Sequence, residues 1–417
     1  LSLSLAIACL SGCSAANTEI ASSSAATATV TPTTDSTEVP ASNNVFTSAG
    51  DGLYVTTDSG IYELQTVFPD SANIFYTDAN TKERIFLCAN PNCTHADESC
   101  PSYIATPSAM FPPMLLRVGD QRLVVFTEAT DSSNPHGMLM NMDGSNRRTV
   151  FELASNQYMQ GGFCTSGNDL YFDLYEINDS GNVTYQLWYV SFENGTSEKV
   201  MDLGSDSDHY SLCDGANNEL CFNHVSSDGI SYCMYNPQSK TISDPFFVDS
   251  SVSGNSMIQD GYLFVLDEQA SSVQRIRLSD EEQASASFTV KEGFGAPSMR
   301  YLFDGNLMIT EAQTTASDIP TDGSYGVCSY ILDFGTRNCT EFTLQTPYNN
   351  RPVYVLTTIG DACYVATDYK TYTPTSVSED GTVSNFDYVA NIYAFITKQD
   401  YINSNQNGYS MVKDAFE

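Results

Sequence analysis

Seven times along this chain a turn of Gly, Asp or Asn runs into a strand of Leu, Val, Tyr and Phe, and no unit of that size can bury both of its faces alone. The copies read Gly50-Asp51-Gly52-Leu53-Tyr54-Val55, Gly119-Asp120-Gln121-Arg122-Leu123-Val124-Val125, Gly167-Asn168-Asp169-Leu170-Tyr171-Phe172 and Asn217-Asn218-Glu219-Leu220-Cys221-Phe222. Three more follow: Gln259-Asp260-Gly261-Tyr262-Leu263-Phe264, Phe303-Asp304-Gly305-Asn306-Leu307-Met308 and Gly360-Asp361-Ala362-Cys363-Tyr364-Val365. Each unit is completed by a strand, a polar turn such as Asp143-Gly144-Ser145-Asn146 or Glu193-Asn194-Gly195-Thr196, and a closing apolar strand. Gly and Asn supply the positive φ of tight hairpins, while aromatic and β-branched residues fill pleated faces. Helical periodicity is almost absent past Val45, and the final unit is less regular than the rest.

The repeat predicts an all-β chain. Its equivalent positions are spaced from 43 residues (Leu220 to Leu263) to 56 (Leu307 to Cys363), with one step of 70 (Leu53 to Leu123). A four-stranded unit at this period is a propeller blade, so residues 45–417 are expected to form a β-propeller of seven four-stranded blades. A miscounted last unit or a blade hidden in the long step would change the number to six or eight. Paired sandwiches need no repeat and β-helix rungs are shorter, so both fit the spacing less well.

Ahead of the repeat lie two segments of different character. Leu1 to Cys9 is apolar or small, has the composition of a signal-peptide core, and is too short to span a bilayer as a helix. It ends in Leu10-Ser11-Gly12-Cys13, which resembles the lipobox of bacterial lipoproteins. That resemblance implies a cleaved signal over residues 1–12, with its own start upstream of Leu1, and a diacylglyceryl group on the Cys13 thiol. Two acyl chains suffice for stable anchoring, where one is marginal. Residues 13–44 then carry Ser, Thr, Ala and Pro with no base and no aromatic residue, a composition that cannot offset its ordering entropy. They are expected to form a disordered tether with a reach of ~30 Å. The resemblance implies that the chain is held on the outer face of a bacterial cytoplasmic membrane.

The long step between the first two repeats is an insertion at 88–100: Cys88-Ala89-Asn90-Pro91-Asn92-Cys93-Thr94-His95-Ala96-Asp97-Glu98-Ser99-Cys100. Cys88, Cys93, His95 and Cys100 provide the four N/S ligands of a structural Zn²⁺ site, and Pro91 between two Asn favours the tight turn that gathers them. The rival reading in an exported protein is a disulfide, Cys88 with Cys93 or Cys100, which leaves one thiol over. The odd thiol count and the interposed imidazole favour metal. Four protein ligands leave no open position, which argues against catalysis there. With the lipobox ahead of it and Pro101-Ser102-Tyr103 after it, this segment resembles a group of surface lipoproteins from anaerobic Gram-positive bacteria with propeller domains. The resemblance implies architecture and location and names no ligand.

Seven further cysteines lie in the repeats. Cys221 and Cys233 flank the Ser227-Asp228 turn, and Cys328 and Cys339 flank Phe334-Gly335. Cross-strand pairing is one reading; buried free thiols is the preferred one, since cysteine also packs as a small hydrophobe.

The acids number 51 against 17 Lys and Arg, a formal charge of −34 spread through all the repeats. Such a chain has no basic patch for phosphates, so nucleic acid is excluded as a partner. The charge keeps a surface protein soluble beside anionic lipid, and a monomer is expected. A sharper reading, cation capture by Asp202, Asp206 and Asp208, does not match an EF-hand loop. No His-Glu-x-x-His, Gly-x-Ser-x-Gly or phosphate loop occurs, and His136, His209 and His224 stand isolated in sequence. Two functions remain: a lipid-anchored binding or scaffold propeller for an extracellular glycan, peptide or protein, and a surface hydrolase using paired carboxylates at the channel mouth.

Overall fold

The computed structural model describes residues 46–48, 52–68, 71–106, 113–119, 121–127, 133–249, 255–313, 326–372, 375–377, 383–385 and 388–415. The signal segment, Cys13 and the tether through Val45 lie outside the described residues. What is described is mostly strand with almost no helix, as the turn and strand pattern requires, and forms seven four-stranded antiparallel sets.

Sheet 1 runs Tyr54–Thr56, Gly60–Phe68 and Ser71–Asp78, with an outer strand in two pieces, Arg84–Phe86 and Tyr103–Ala105. Sheet 2 comprises Met114–Val118, Arg122–Thr127, His136–Asn141 and Arg148–Glu152. Sheet 3 (Gln157–Ser166, Asp169–Ile177, Val183–Ser191, Thr196–Ser205) and sheet 4 (Asp208–Ala216, Glu219–Ser226, Gly229–Asn236, Thr241–Ile242) are joined where Gly204 pairs with His209. Sheet 5 is Ser256–Gln259, Tyr262–Asp267, Ser272–Arg277 and Gln283–Ser287, and sheet 6 is Phe294–Tyr301, Leu307–Gln313, Val327–Asp333 and Asn338–Phe342. Sheet 7 consists of Val355–Ile359, Ala362–Tyr372, Tyr388–Thr397 and Ser410–Met411. Its irregularity, expected from sequence, is a short helix at Lys398–Ile402, capped by Thr397, which seats the buried Tyr401 against Phe342 and Phe303.

The repeat turn sits between the first and second strands of each sheet, and the residue two or three places after it is wholly buried: Leu123, Leu170, Leu220, Leu263, Leu307 and Cys363. The first copy corrects the sequence reading. Tyr54 and Val55 of that copy lie in the first strand of sheet 1, and the equivalent turn is Asp58-Ser59-Gly60 with Ile61 buried after it. Turn residues and aromatics flank the three-residue strand Tyr54–Thr56 on both sides, so composition alone does not distinguish its two ends.

Each sheet buries its faces against its neighbours in chain order. Val55, Leu64 and Ile74 of sheet 1 meet Leu115, Leu123 and Val125 of sheet 2. Phe126 and Phe151 of sheet 2 meet Phe163 and Phe172 of sheet 3, and comparable clusters join sheets 3 to 4, 4 to 5, 5 to 6 and 6 to 7. A seventh cluster joins the last sheet to the first: Ile61 packs with Tyr364, Tyr393 and Phe395. The arrangement is propeller-like, and each fully buried side chain of this kind contributes about 1.5–3 kcal/mol.

One polar group is buried between sheets 3 and 4. Asp173, with no exposed surface, accepts N–H groups from Gly162 in a bulge of its own sheet and from Leu212 in the next, both at 3.0 Å. A Cβ at Gly162 would meet the Leu212 carbonyl oxygen at 2.1 Å, so only glycine permits this approach. Burial pushes the Asp173 carboxyl up to about 7, against the two N–H groups that favour the anion. The folded chain therefore holds a proton that the unfolded chain releases, and the stability gained is lost as pH rises toward 7. Thermal melts of the protein and of Asp173→Asn should diverge in favour of the native carboxyl as pH falls from about 7 to about 4. A constant difference across that range would refute the assignment.

Candidate functional site

The insertion leaves and re-enters the outer strand of sheet 1 at a single point. Leu87 donates its N–H to the Ile74 carbonyl, and the Ile74 N–H donates to the Ser102 carbonyl, so a closed loop of residues 88–101 stands out from an otherwise continuous strand. Within it Cys88, Cys93, His95 and Cys100 converge, their ligand atoms all within 4.8 Å of one another. Donors held tetrahedrally on Zn²⁺ at about 2.3 Å lie about 3.8 Å apart, so a contraction of about 1 Å completes the shell. Among the described residues no other His, Cys, Asp and Glu group converges in this way.

Local geometry explains the gathering. The Cys93 N–H donates to the Asn90 carbonyl in the turn at Pro91, and the Cys100 N–H donates to the Asp97 carbonyl in a second turn. His95 takes φ +56°, its ring stacks on Phe86 at 4.0 Å, and its Nδ1 lies 3.2 Å from Cys100 Sγ. Asn73, buried in sheet 1, donates to the His95 carbonyl and to Ser102 Oγ. Arg147 of sheet 2 donates to the carbonyls of Tyr103 and Pro101. The loop is thus braced from two sheets.

The thiols are not equivalent. Cys100 is buried, which by itself works against a thiolate, but hydrogen bonds from Ser102 and His95 outweigh burial and bring it down to about 6. Burial pushes Cys88 up to about 11. All three are free thiols, and sulfur and imidazole donors gathered this closely suit a soft divalent ion. The four residues expected from sequence thus form a group that could hold a metal ion.

Register decides the other cysteines. Phe222 faces Cys233, so Cys221 lies opposite Met234 and its side chain points to the other face of sheet 4. Cys339 faces Leu332, four places from Cys328. The cross-strand pairings are therefore overturned, and the described cysteines are all free thiols. His136, His209 and His224 all lie on strands, where His224 Nε2 is 2.6 Å from Asp208 Oδ1 and His209 stacks on Tyr185 at 3.9 Å. Asp202 is held instead by Lys199, so Asp202, Asp206 and Asp208 do not form one site.

A second feature was not legible in the sequence. The first strands of sheets 1, 4, 5, 6 and 7 line one cavity of about 850 Å³, while Thr47–Ser48 runs along the inner edge of sheet 3. Its wall carries three carboxylates. Asp214 accepts N–H groups from Gly215 (2.7 Å) and Gly261 (2.8 Å), Asp260 accepts the Tyr301 hydroxyl, and Asp304 is bridged by Lys398 through both oxygens at 2.9 Å. Tyr54, Tyr262 and Phe303 add aromatic surface.

No protein-family model and no curated protein matches this chain. Among solved structures it is similar to TolB from Acinetobacter baumannii (8% identity, 86% of this chain and 77% of that one, TM-score 0.35). It is similar as well to an oligogalacturonate lyase from Vibrio parahaemolyticus (9% identity, 84% and 91% covered, TM-score 0.41). A tricorn protease is matched over 82% of this chain at 11% identity and a TM-score of 0.32, and the chain spans only 35% of its length. Likeness at this level carries no argument about the chemistry of either site.

Proposed function

We propose that the chain is a lipid-anchored, monomeric β-propeller of seven blades on the outer face of a bacterial cytoplasmic membrane, which captures an extracellular glycan, peptide or protein. The observation that carries this reading is the cavity lined by the first strands of five sheets, a concave site of the size that small-ligand pockets have. The seventh cluster, joining the last sheet to the first, supports a closed ring. The Cys88, Cys93, His95 and Cys100 set acts as a structural zinc centre that fixes a loop too exposed to hold itself by burial. A hydrolase would need an uncommitted pair of carboxyl groups at the cavity, whereas Asp214, Asp260 and Asp304 each have a partner, which favours binding. The test is a glycan and peptide array scored for binding and for substrate loss. Capture without turnover is expected, and turnover of any captured compound would establish the hydrolase in its place.

The anchor has its own test. Expressed with a complete signal, the chain should partition into detergent, and Cys13→Ala should move it to the aqueous phase. Unchanged partitioning of the variant would remove the lipid from this account.

A further inference from the structure

We infer that Cys88 and Cys93 are a redox modification site, the pair that hydrogen peroxide converts to a disulfide with release of the metal; this deepens the zinc reading of the loop above and rests on it. Three thiols and one imidazole lie within 4.8 Å of one another. A disulfide bond is about 2.05 Å long, so two of the sulfurs have to close on each other by side-chain rotation. The structure separates the three by their freedom to do so. Cys100 is 1% exposed and is held from several sides: the Ser102 N–H donates to its sulfur at 3.4 Å, and Ser102 Oγ and His95 Nδ1 lie 3.1 and 3.2 Å from it. Cys88 and Cys93 are both partly exposed, and every residue between them, Ala89 to Asn92, is exposed.

A peroxide arriving from solvent therefore meets these two sulfurs first. One thiolate attacks a peroxide oxygen, the O–O bond breaks, and a sulfenic acid and water result. The second thiolate attacks the sulfenic sulfur, the S–S bond forms, and hydroxide leaves as a second water. Two thiols lose two electrons and one hydrogen peroxide is reduced to two waters. A disulfide sulfur no longer carries the charge that binds a soft ion, so only His95 and Cys100 remain of the four ligands and the ion departs. The loop stays in place, because its bracing does not pass through sulfur: Asn73 holds the His95 carbonyl and Ser102 Oγ, and Arg147 holds the carbonyls of Tyr103 and Pro101. The third thiol, which a plain disulfide leaves over, stays with His95 as the half-site to which the ion returns on reduction. Cys164, Cys221 and Cys363 have no exposed surface and do not compete for oxidant, whereas the exposed Cys339 serves as an internal measure of it.

The test is hydrogen peroxide added to the full-length protein, purified under reducing conditions and then freed of reductant, with zinc release followed by a chromogenic chelator and disulfides mapped by mass spectrometry. Zinc should be released in step with a Cys88–Cys93 disulfide, and dithiothreitol with added zinc should reverse both. Cys100→Ala, which has no metal to lose, should still form that disulfide, and Cys93→Ala should form none in the loop. A loop disulfide in the native protein that contains Cys100, or zinc retained after Cys339 has been oxidised, overturns the exchange while the structural zinc centre stands. A protein that carries no zinc as purified removes the zinc reading, and the exchange with it.

Discussion

Arg84→Ala is expected to cost about 3–5 kcal/mol of stability, the largest loss of any single side chain outside the apolar clusters. The Arg84 side chain has no exposed surface, pairs with Glu63 at 3.0 Å and with Asp414 at 3.2 Å, and lies 3.7 Å from the centre of the Phe75 ring. Tyr393 of sheet 7 donates its hydroxyl to the other Glu63 oxygen. Burial disfavours the guanidinium charge, but Glu63 and its neighbours hold it well above the ordinary arginine range. The network spans the seam between the first and last sheets, which meet through packing and not through consecutive chain. Removing Arg84 leaves the Glu63 carboxylate buried without its counter-charge, which is why the single variant suffers most. Arg84→Met combined with Glu63→Gln should recover a large part of the loss, because the fully buried Glu63 charge is then gone as well and only the partly exposed Asp414 loses a partner. Urea unfolding of the three proteins decides this. A double variant no more stable than Arg84→Ala would mean that packing at the seam, and not charge, holds it.

Disruption of the candidate metal site at Cys88, Cys93, His95 and Cys100 is expected to be the second large effect. Protein purified under reducing conditions should carry one zinc per chain, and His95→Ala and Cys100→Ala should each release it and lower the melting midpoint by similar amounts. The equivalence follows from the closed donor set, since a structural site of four ligands fails when any one is withdrawn. Chelator should reproduce the effect in the native protein and leave both variants unmoved. Metal analysis with thiol counting separates the alternatives. A metal-free protein with an unshifted midpoint in His95→Ala would return the loop to a disulfide or to free thiols.

The fold and the candidate metal site were legible to different depths. Turn and strand alternation is a local property, so the second strand of six sheets could be read from Gly, Asp and Asn ahead of Leu123, Leu170, Leu220, Leu263, Leu307 and Cys363. The first strands escaped, because Met114–Val118 or Ser256–Gln259 carry no turn signature of their own. The four ligands of the cysteine loop were readable since they lie within thirteen residues, from Cys88 to Cys100. Their bracing was not: Asn73 comes from an inner strand of sheet 1 and Arg147 from a turn of sheet 2.

By itself the sequence determined what neighbours along the chain can decide: an all-β chain, its repeating turns, and a donor set suited to one soft metal ion. Only the tertiary structure decided what depends on residues far apart. Arg84 meets Asp414 across 330 positions, and Arg300 meets Tyr354 through the packing of two sheets. Register, too, is a tertiary outcome, and a shift of one place put Cys221 and Cys233 on opposite faces. The reason is physical: hydrophobic pattern specifies which faces are buried, whereas seam and cavity arise only when seven such faces find their neighbours.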